Sequence, residues 1–261
     1  MRHVFLVFPL LFCACVTVGG PKRPSGADAV EALLKARGEA FSGEFKVSVP
    51  QTELRVWLDG FSITPAMGLP TWLAFSPQGR VATARGVVVL LESEVGPIQR
   101  AALAAGFSVT ALHNHFLREA PKIVFMHIGG RGSVDELTDQ AKRLLGAITE
   151  LRRGKGLQSG PTHLVNGLDG PALENILGVK AKIVEGVVKF GIERLDVELT
   201  DHGYPVDAMI GFNTSMAFQG TMKKAAVAGA FAMLEGEAEG VVRALTDGGL
   251  EVVGMHNEMV G

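Results

Sequence analysis

Cysteine is nearly missing from this chain. Of 261 residues, Cys13 and Cys15 are the two cysteines. Everything after residue 15 therefore lacks a disulfide, a thiolate metal ligand and a thiol nucleophile, and must be held together by packing. Charge of one sign is missing as well. The formal net charge is −2, with both signs mixed along the chain, which leaves no electrostatic footprint for nucleic acid. The densest basic run, Arg152-Arg153-Gly154-Lys155, is short and glycine-interrupted, and reads as a solvated linker. The apolar run at residues 4–12 falls well short of the roughly 20 residues that cross a bilayer. There is no Gly-x-Ser-x-Gly elbow, no dinucleotide fingerprint after a strand and no Walker lysine after the glycine-rich stretch. What remains is an apolar fraction of 47%, enough to bury a core in one large or two small domains.

The first residues read as a targeting segment. Arg2 and His3 make a basic start, the apolar run follows, and it ends at Phe12-Cys13-Ala14-Cys15. A small residue just before a cysteine resembles the bacterial lipobox, with Cys15 as the lipidated position. Phe12 departs from that pattern, so plain secretion stays open. Gly19, Gly20, Pro21, Pro24, Ser25 and Gly26 form a flexible tether. The expectation is an exported protein of the periplasm or cell envelope that meets the membrane through a lipid anchor alone.

The chain also aligns with itself. Residues 30–117 match 173–260 without a gap, and twenty of the 88 positions are identical. Among the pairs are Gly60/Gly203, Gly86/Gly229, Glu94/Glu237, Gly106/Gly249 and His113-Asn114/His256-Asn257. Shared glycines at fixed positions imply shared backbone turns. The division expected is a signal and tether at 1–29, a first repeat at 30–150, a linker at 151–172 and a second repeat at 173–261. That second copy is expected to be truncated, because the counterpart of the stretch from Leu117 to residue 150 falls beyond Gly261. It is given a structural role, its sheet edge covered by the first copy or by a partner chain in a homo-oligomer.

Periodicity supplies the elements of one unit. Strand-like alternation runs over 45–49, 54–58, 73–75 and 81–91. A helix is expected over 95–105, with Pro97 in its first turn and Gly106 past its end. Strands over 107–116 and 122–128 follow. A helix over 133–148 opens with the capping box Ser133-Val134-Asp135-Glu136. The fold class is α+β: two tandem ferredoxin-like units, β-α-β-β-α with an extra N-terminal hairpin, in mostly antiparallel sheets.

The chemistry-bearing residues gather in one stretch. His113 and His115 share a face if they lie on a strand. A turn near 118–120 then folds the chain back, and a register with residue numbers summing to about 238 sets His127 opposite Ala111 and diagonal to His113. Glu119 falls in the turn. His113, His115 and His127 suit a divalent metal such as zinc, with Glu119 as a fourth ligand or as general base. The other reading is a polar sheet face whose histidines hydrogen-bond neighbours or meet water. Gly129-Gly130-Arg131-Gly132 lies before a helix start. Amides there, with Arg131, Gly130 and Gly132, can bind an anionic small ligand, but a tight β-to-α connection capped by Ser133 is the favoured reading. Glu92, Glu94 and Arg100 recur in the second copy and read as structural.

The strings Thr110-Ala-Leu-His-Asn-His-Phe116, Glu119-Ala-Pro121, Phe125-Met-His127, Gly129-Gly-Arg-Gly132, Leu58-Asp-Gly60 and Leu91-Glu-Ser-Glu-Val95 resemble the LppY/LpqO family of exported bacterial proteins and lipoproteins. The resemblance covers residues from about 30 to 261 and implies export and a duplicated fold. It implies no activity. Glu258 stands where the second copy of that family has its second histidine. Three functions are open: an envelope protein binding a metal or small ligand, a metal-dependent hydrolase, and a structural envelope protein with no site.

Overall fold

The computed structural model describes residues 26–34, 36–41, 44–49, 51, 54–58, 61–155, 167–194, 196–201, 204–205 and 212–256. Residues 1–25, with Cys15, where a targeting segment was expected, lie outside the described residues.

The first unit runs α1 (Ala27–Leu34), β1 (Gly38–Phe41), β2 (Glu44–Val49), β3 (Val56–Leu58), β4 (Phe61–Ile63), β5 (Thr71–Gln78), β6 (Val81–Leu91), α2 (Val95–Ala105), β7 (Ser108–His113), β8 (Glu119–Ala120), β9 (Ile123–Gly132) and α3 (Val134–Arg152). Its main sheet is antiparallel between neighbours, in the order β1-β2-β5-β6-β9-β7. β6 and β7 flank α2 in sequence, yet each pairs with β9. That split arrangement is the ferredoxin-like one. A small sheet, β4-β3-β8, stands apart. The second unit runs α4 (Gly170–Leu177), β10 (Lys182–Val184), β11 (Val187–Glu193), β12 (Thr200–Asp201), β13 (Tyr204–Pro205), β14 (Asn213–Thr221), β15 (Lys224–Ala230) and α5 (Ala238–Asp247). Its main sheet is β10-β11-β14-β15. The protein is α+β, in two tandem units.

The internal repeat extends to the hydrogen-bond register. α4 begins 143 residues after α1 (170 − 27 = 143), and β11 begins the same distance after β2. Phe45 pairs with Phe75 across β2 and β5, and Val188 pairs with Phe218 across β11 and β14. Trp72 opposite Val87 becomes Ser215 opposite Ala230. A gapless sequence match keeps element lengths, and period-two alternation then keeps faces.

Strand alternation on the first sheet builds two cores. Val88, Leu90 and Met126 face the helices, against Ile98, Leu137 and Leu144. Val87, Val89, Ile123 and Phe125 face the other way, against Leu54, Met67 and Leu69 and against Val187, Ala217 and Ala226 of the second unit. The second repeat thus contributes to the covering of the open face of the first sheet. Gln219 seals the contact: its Oε1 accepts from the Thr64 amide at 3.0 Å and its Nε2 donates to the Ser62 carbonyl at 3.0 Å. Two contacts join equivalent positions to each other. Lys182 pairs with Glu39, 143 positions apart, and His256 meets His113. Equivalent residues meeting one another mark isologous, two-fold-like packing.

One buried ion pair ties the long helix to the sheet, and it corrects the reading of Arg152 as part of a solvated linker: Arg152 is the last residue of α3 and is buried. Arg152, at the end of α3, donates from Nε to Glu94 Oε1 at 2.8 Å and from Nη2 to Glu94 Oε2 at 2.7 Å, and also bonds Gln51 and the Val89 carbonyl. Burial pushes the Glu94 carboxyl up, but the Arg152 hydrogen bonds and the Leu91 amide outweigh it and hold its pKa below the usual carboxylate value. In the second repeat Glu237 stands in the place of Glu94, and Arg194, in the place of Gln51, binds it at 2.7 Å. The cation that α3 brings in one copy is carried at the position of Gln51 in the other.

Removing Arg152 strands a carboxylate that is 1% exposed. Arg152→Ala should cost about 3–5 kcal/mol in urea unfolding. A carboxyl with a lowered folded pKa stabilises above its unfolded pKa, and that contribution fades as pH falls through the folded value. Wild-type stability should therefore fall as pH drops below about 4.3, and Glu94→Gln should flatten that part of the profile. An unchanged acid limb in Glu94→Gln would show the pair to be inert.

Candidate metal centre

The site begins with strand parity. On β9, Phe125 packs in the core facing the second repeat, so His127, two residues on, points the same way. Ala111 pairs with His127 and His113 with Phe125, the register expected from the sequence. A bulge between Val109 and Ala111 precedes them. His113 and His127 therefore sit side by side on the face turned to the second repeat, their Nε2 atoms 2.7 Å apart.

The third imidazole is His256. Its ring stacks on His113 with centroids 3.9 Å apart and planes 24° apart, and lies edge-on to His127 at 5.4 Å. The ligand atoms of His113, His127 and His256 all fall within 4.8 Å of one another. The cluster runs from buried to open: His127 is 7% exposed, His113 is half-buried and His256 is exposed.

Proton positions follow from the partners. The Asn114 carbonyl can only accept, so His113 Nδ1, 3.2 Å away, carries a hydrogen. In the neutral ring that puts the lone pair on His113 Nε2, facing His127 Nε2 at 2.7 Å. A carbonyl anchoring the far ring nitrogen is the usual support of a metal-ligating histidine. Tetrahedral zinc with bonds of 2.0–2.1 Å spaces its ligand nitrogens about 3.3 Å apart. The His113–His127 pair would open by about half an ångström, with the metal replacing the shared proton.

The remaining candidates stand outside this group of three. β7 ends at His113, so His115 leaves the strand. Its ring lies flat on Phe125, centroids 3.6 Å and planes 9° apart, and stacks beside His113 at 5.0 Å, but it is outside the group whose ligand atoms lie within 4.8 Å of one another. Glu119 is on β8, pairs with Leu58 of β3 and is buried. Its carboxylate takes the Ile123 amide and Lys122 Nζ, each at 3.3 Å, and stands outside the cluster. Gly130, Arg131 and Gly132 are not a loop but the end of β9, paired with Ala84, Thr83 and Ala82 of β6. The glycines are there because helix and sheet approach closely. A Cβ on Gly130 would meet Phe107 at 3.0 Å and Leu137 at 3.1 Å. Ser133 does cap α3, accepting from the Glu136 amide.

Sequence reasoning noted His256 as the repeat partner of His113 but gave it no part in the site. The signal was present: if duplicated domains pack about a two-fold, equivalent residues near the axis meet. A model described as Domain of Unknown Function (DUF1259) matches residues 28–147 and 171–261. The chain belongs to this family. No curated protein and no solved structure matches it. In this DUF1259 chain the two matched segments are the two halves that bring the three histidines together.

Widening Gly130 should separate the roles of strand and site. Gly130→Ala forces Phe107 and Leu137 apart and should cost about 1–3 kcal/mol. The histidines face the other side of the sheet, so metal uptake by the folded variant should match wild type. A wild-type melting temperature would refute the packing account.

Proposed function

We propose that this DUF1259 protein is an exported cell-envelope protein that binds one divalent metal ion, zinc foremost, between its repeats through His113, His127 and His256. One observation carries the reading: three imidazoles from two repeats converge within 4.8 Å, one with its other nitrogen held by a carbonyl. Imidazole nitrogens suit zinc and its neighbours in the first transition row. Export is supported by the basic start, the apolar run and Ala14-Cys15, and by the resemblance to LppY/LpqO proteins. No helix among the described residues is long and apolar enough to cross a membrane.

Three protein ligands leave a coordination position open, and the exposure of His256 turns that side of the cluster toward solvent. This favours a site that takes water or a small ligand on the metal over a closed structural site. A hydrolase also needs a base. Glu119 is committed to Lys122 and the Ile123 amide, so a binding role is the reading preferred.

Elemental analysis after dialysis is the test. Wild type should retain about one zinc per chain and gain about 2.7 kcal/mol of stability at a free zinc concentration one hundred times Kd. His113→Ala, His127→Ala and His256→Ala should each lose the metal. His115→Ala should keep it. A wild type that carries no zinc and shows no thermal shift with added zinc would overturn the proposal.

A further inference from the structure

His256 is delivered by a segment held on the other repeat. Residues 251–256 correspond to β7 of the first unit, yet form no strand. Their start is tied to α5 by the Leu250 amide, which donates to the Leu245 carbonyl at 2.9 Å. From there the segment lies along the first repeat. Arg118 grips Glu251 with both arms of its guanidinium, Nη1 to Oε1 at 3.1 Å and Nη2 to Oε2 at 2.6 Å. Gly254 passes close to the Asn114 carbonyl, the same carbonyl that anchors His113. The segment ends with the His256 ring over His113. Arg118 itself holds a left-handed backbone, φ 61°, uncommon for a residue with a side chain and frequent at functional sites.

We propose that Arg118 and Glu251 are positioning residues for the metal centre: their two-armed ion pair docks the 251–256 segment on the first repeat and so sets His256 beside His113 and His127. The inference rests on the metal-binding reading. Glu251 is not among the clustered ligand groups, and the pair acts through His256. Linkage is reciprocal: a docked segment completes the ligand set, and a bound ion holds the segment down. The metal centre then fastens one repeat to the other. Arg118 and Glu251 are 53% and 58% exposed, so their substitution leaves both cores intact.

The test is zinc affinity of the full chain, measured by competition with a chromophoric chelator, with hydrogen exchange of amides 251–256 as a second readout. Glu251→Arg sets two cations together and should weaken zinc binding about three- to tenfold. Arg118→Glu should do the same. The double exchange, Arg118→Glu with Glu251→Arg, restores the pair in reverse and should return affinity to within about threefold of wild type. In wild type, zinc should slow exchange across 251–256. Wild-type affinity in both single variants, no recovery in the double exchange, or zinc binding without protection of 251–256 would each overturn the positioning role while leaving the metal site standing. A wild type that binds no zinc would overturn both.

Discussion

Strand β9 is paired on both edges and packed on both faces. β6 and β7 take its hydrogen bonds, the helices cover Met126 and Ile128, and the second repeat helps cover the side of Phe125. A histidine on such a strand cannot meet water freely, and a buried imidazole without a partner is costly. His127 resolves this through His113, whose own position depends on the register between β7 and β9. The site is thus a consequence of a central strand placed between two cores. Slipping β7 by one residue against β9 would turn His113 to the helix side of the sheet, away from His127.

The second repeat is more than a copy appended to the first. Its sheet contributes Val187, Ala217 and Ala226 to the core on the open face, and one of its histidines completes the cluster. The packing is two-fold-like, but the sequence has diverged where identity would be unfavourable. At position 39 and its equivalent 182, a glutamate meets a lysine, where two glutamates would repel. The Glu94 and Glu237 carboxylates show a related divergence. One receives its cation from α3, the other from Arg194. The carboxylate is paired in both copies, buried at Glu94 and 40% exposed at Glu237, with its cation supplied from two different places in the chain.

Several elements were legible from the residues. The capping box at Ser133, Gly106 after α2 and the alternation of 81–91 are local signals with local causes. The β7–β9 register was legible too, because a single connection and one buried face leave few alternatives. The stretch Gly129–Gly132 was not. Glycines before a helix read as a loop, but here they extend β9 because Phe107 and Leu137 need the space a side chain would fill. The turn expected near 118–120 was not legible either: Glu119 and Ala120 form β8, which pairs with β3, so the chain does not turn directly from β7 into β9.

The sequence by itself determined the repeat, the α+β class and the presence of His113 and His127 on one face, since spacing and strand parity depend on neighbours along the chain. Only the tertiary structure decided the third imidazole. His256 lies 143 positions from His113, and no local pattern reports how two sheets pack. That choice belongs to the inter-repeat contact, where burial of Val187, Ala217 and Ala226 against the first sheet and the grip of Arg118 on Glu251 bring together histidines that the chain keeps far apart.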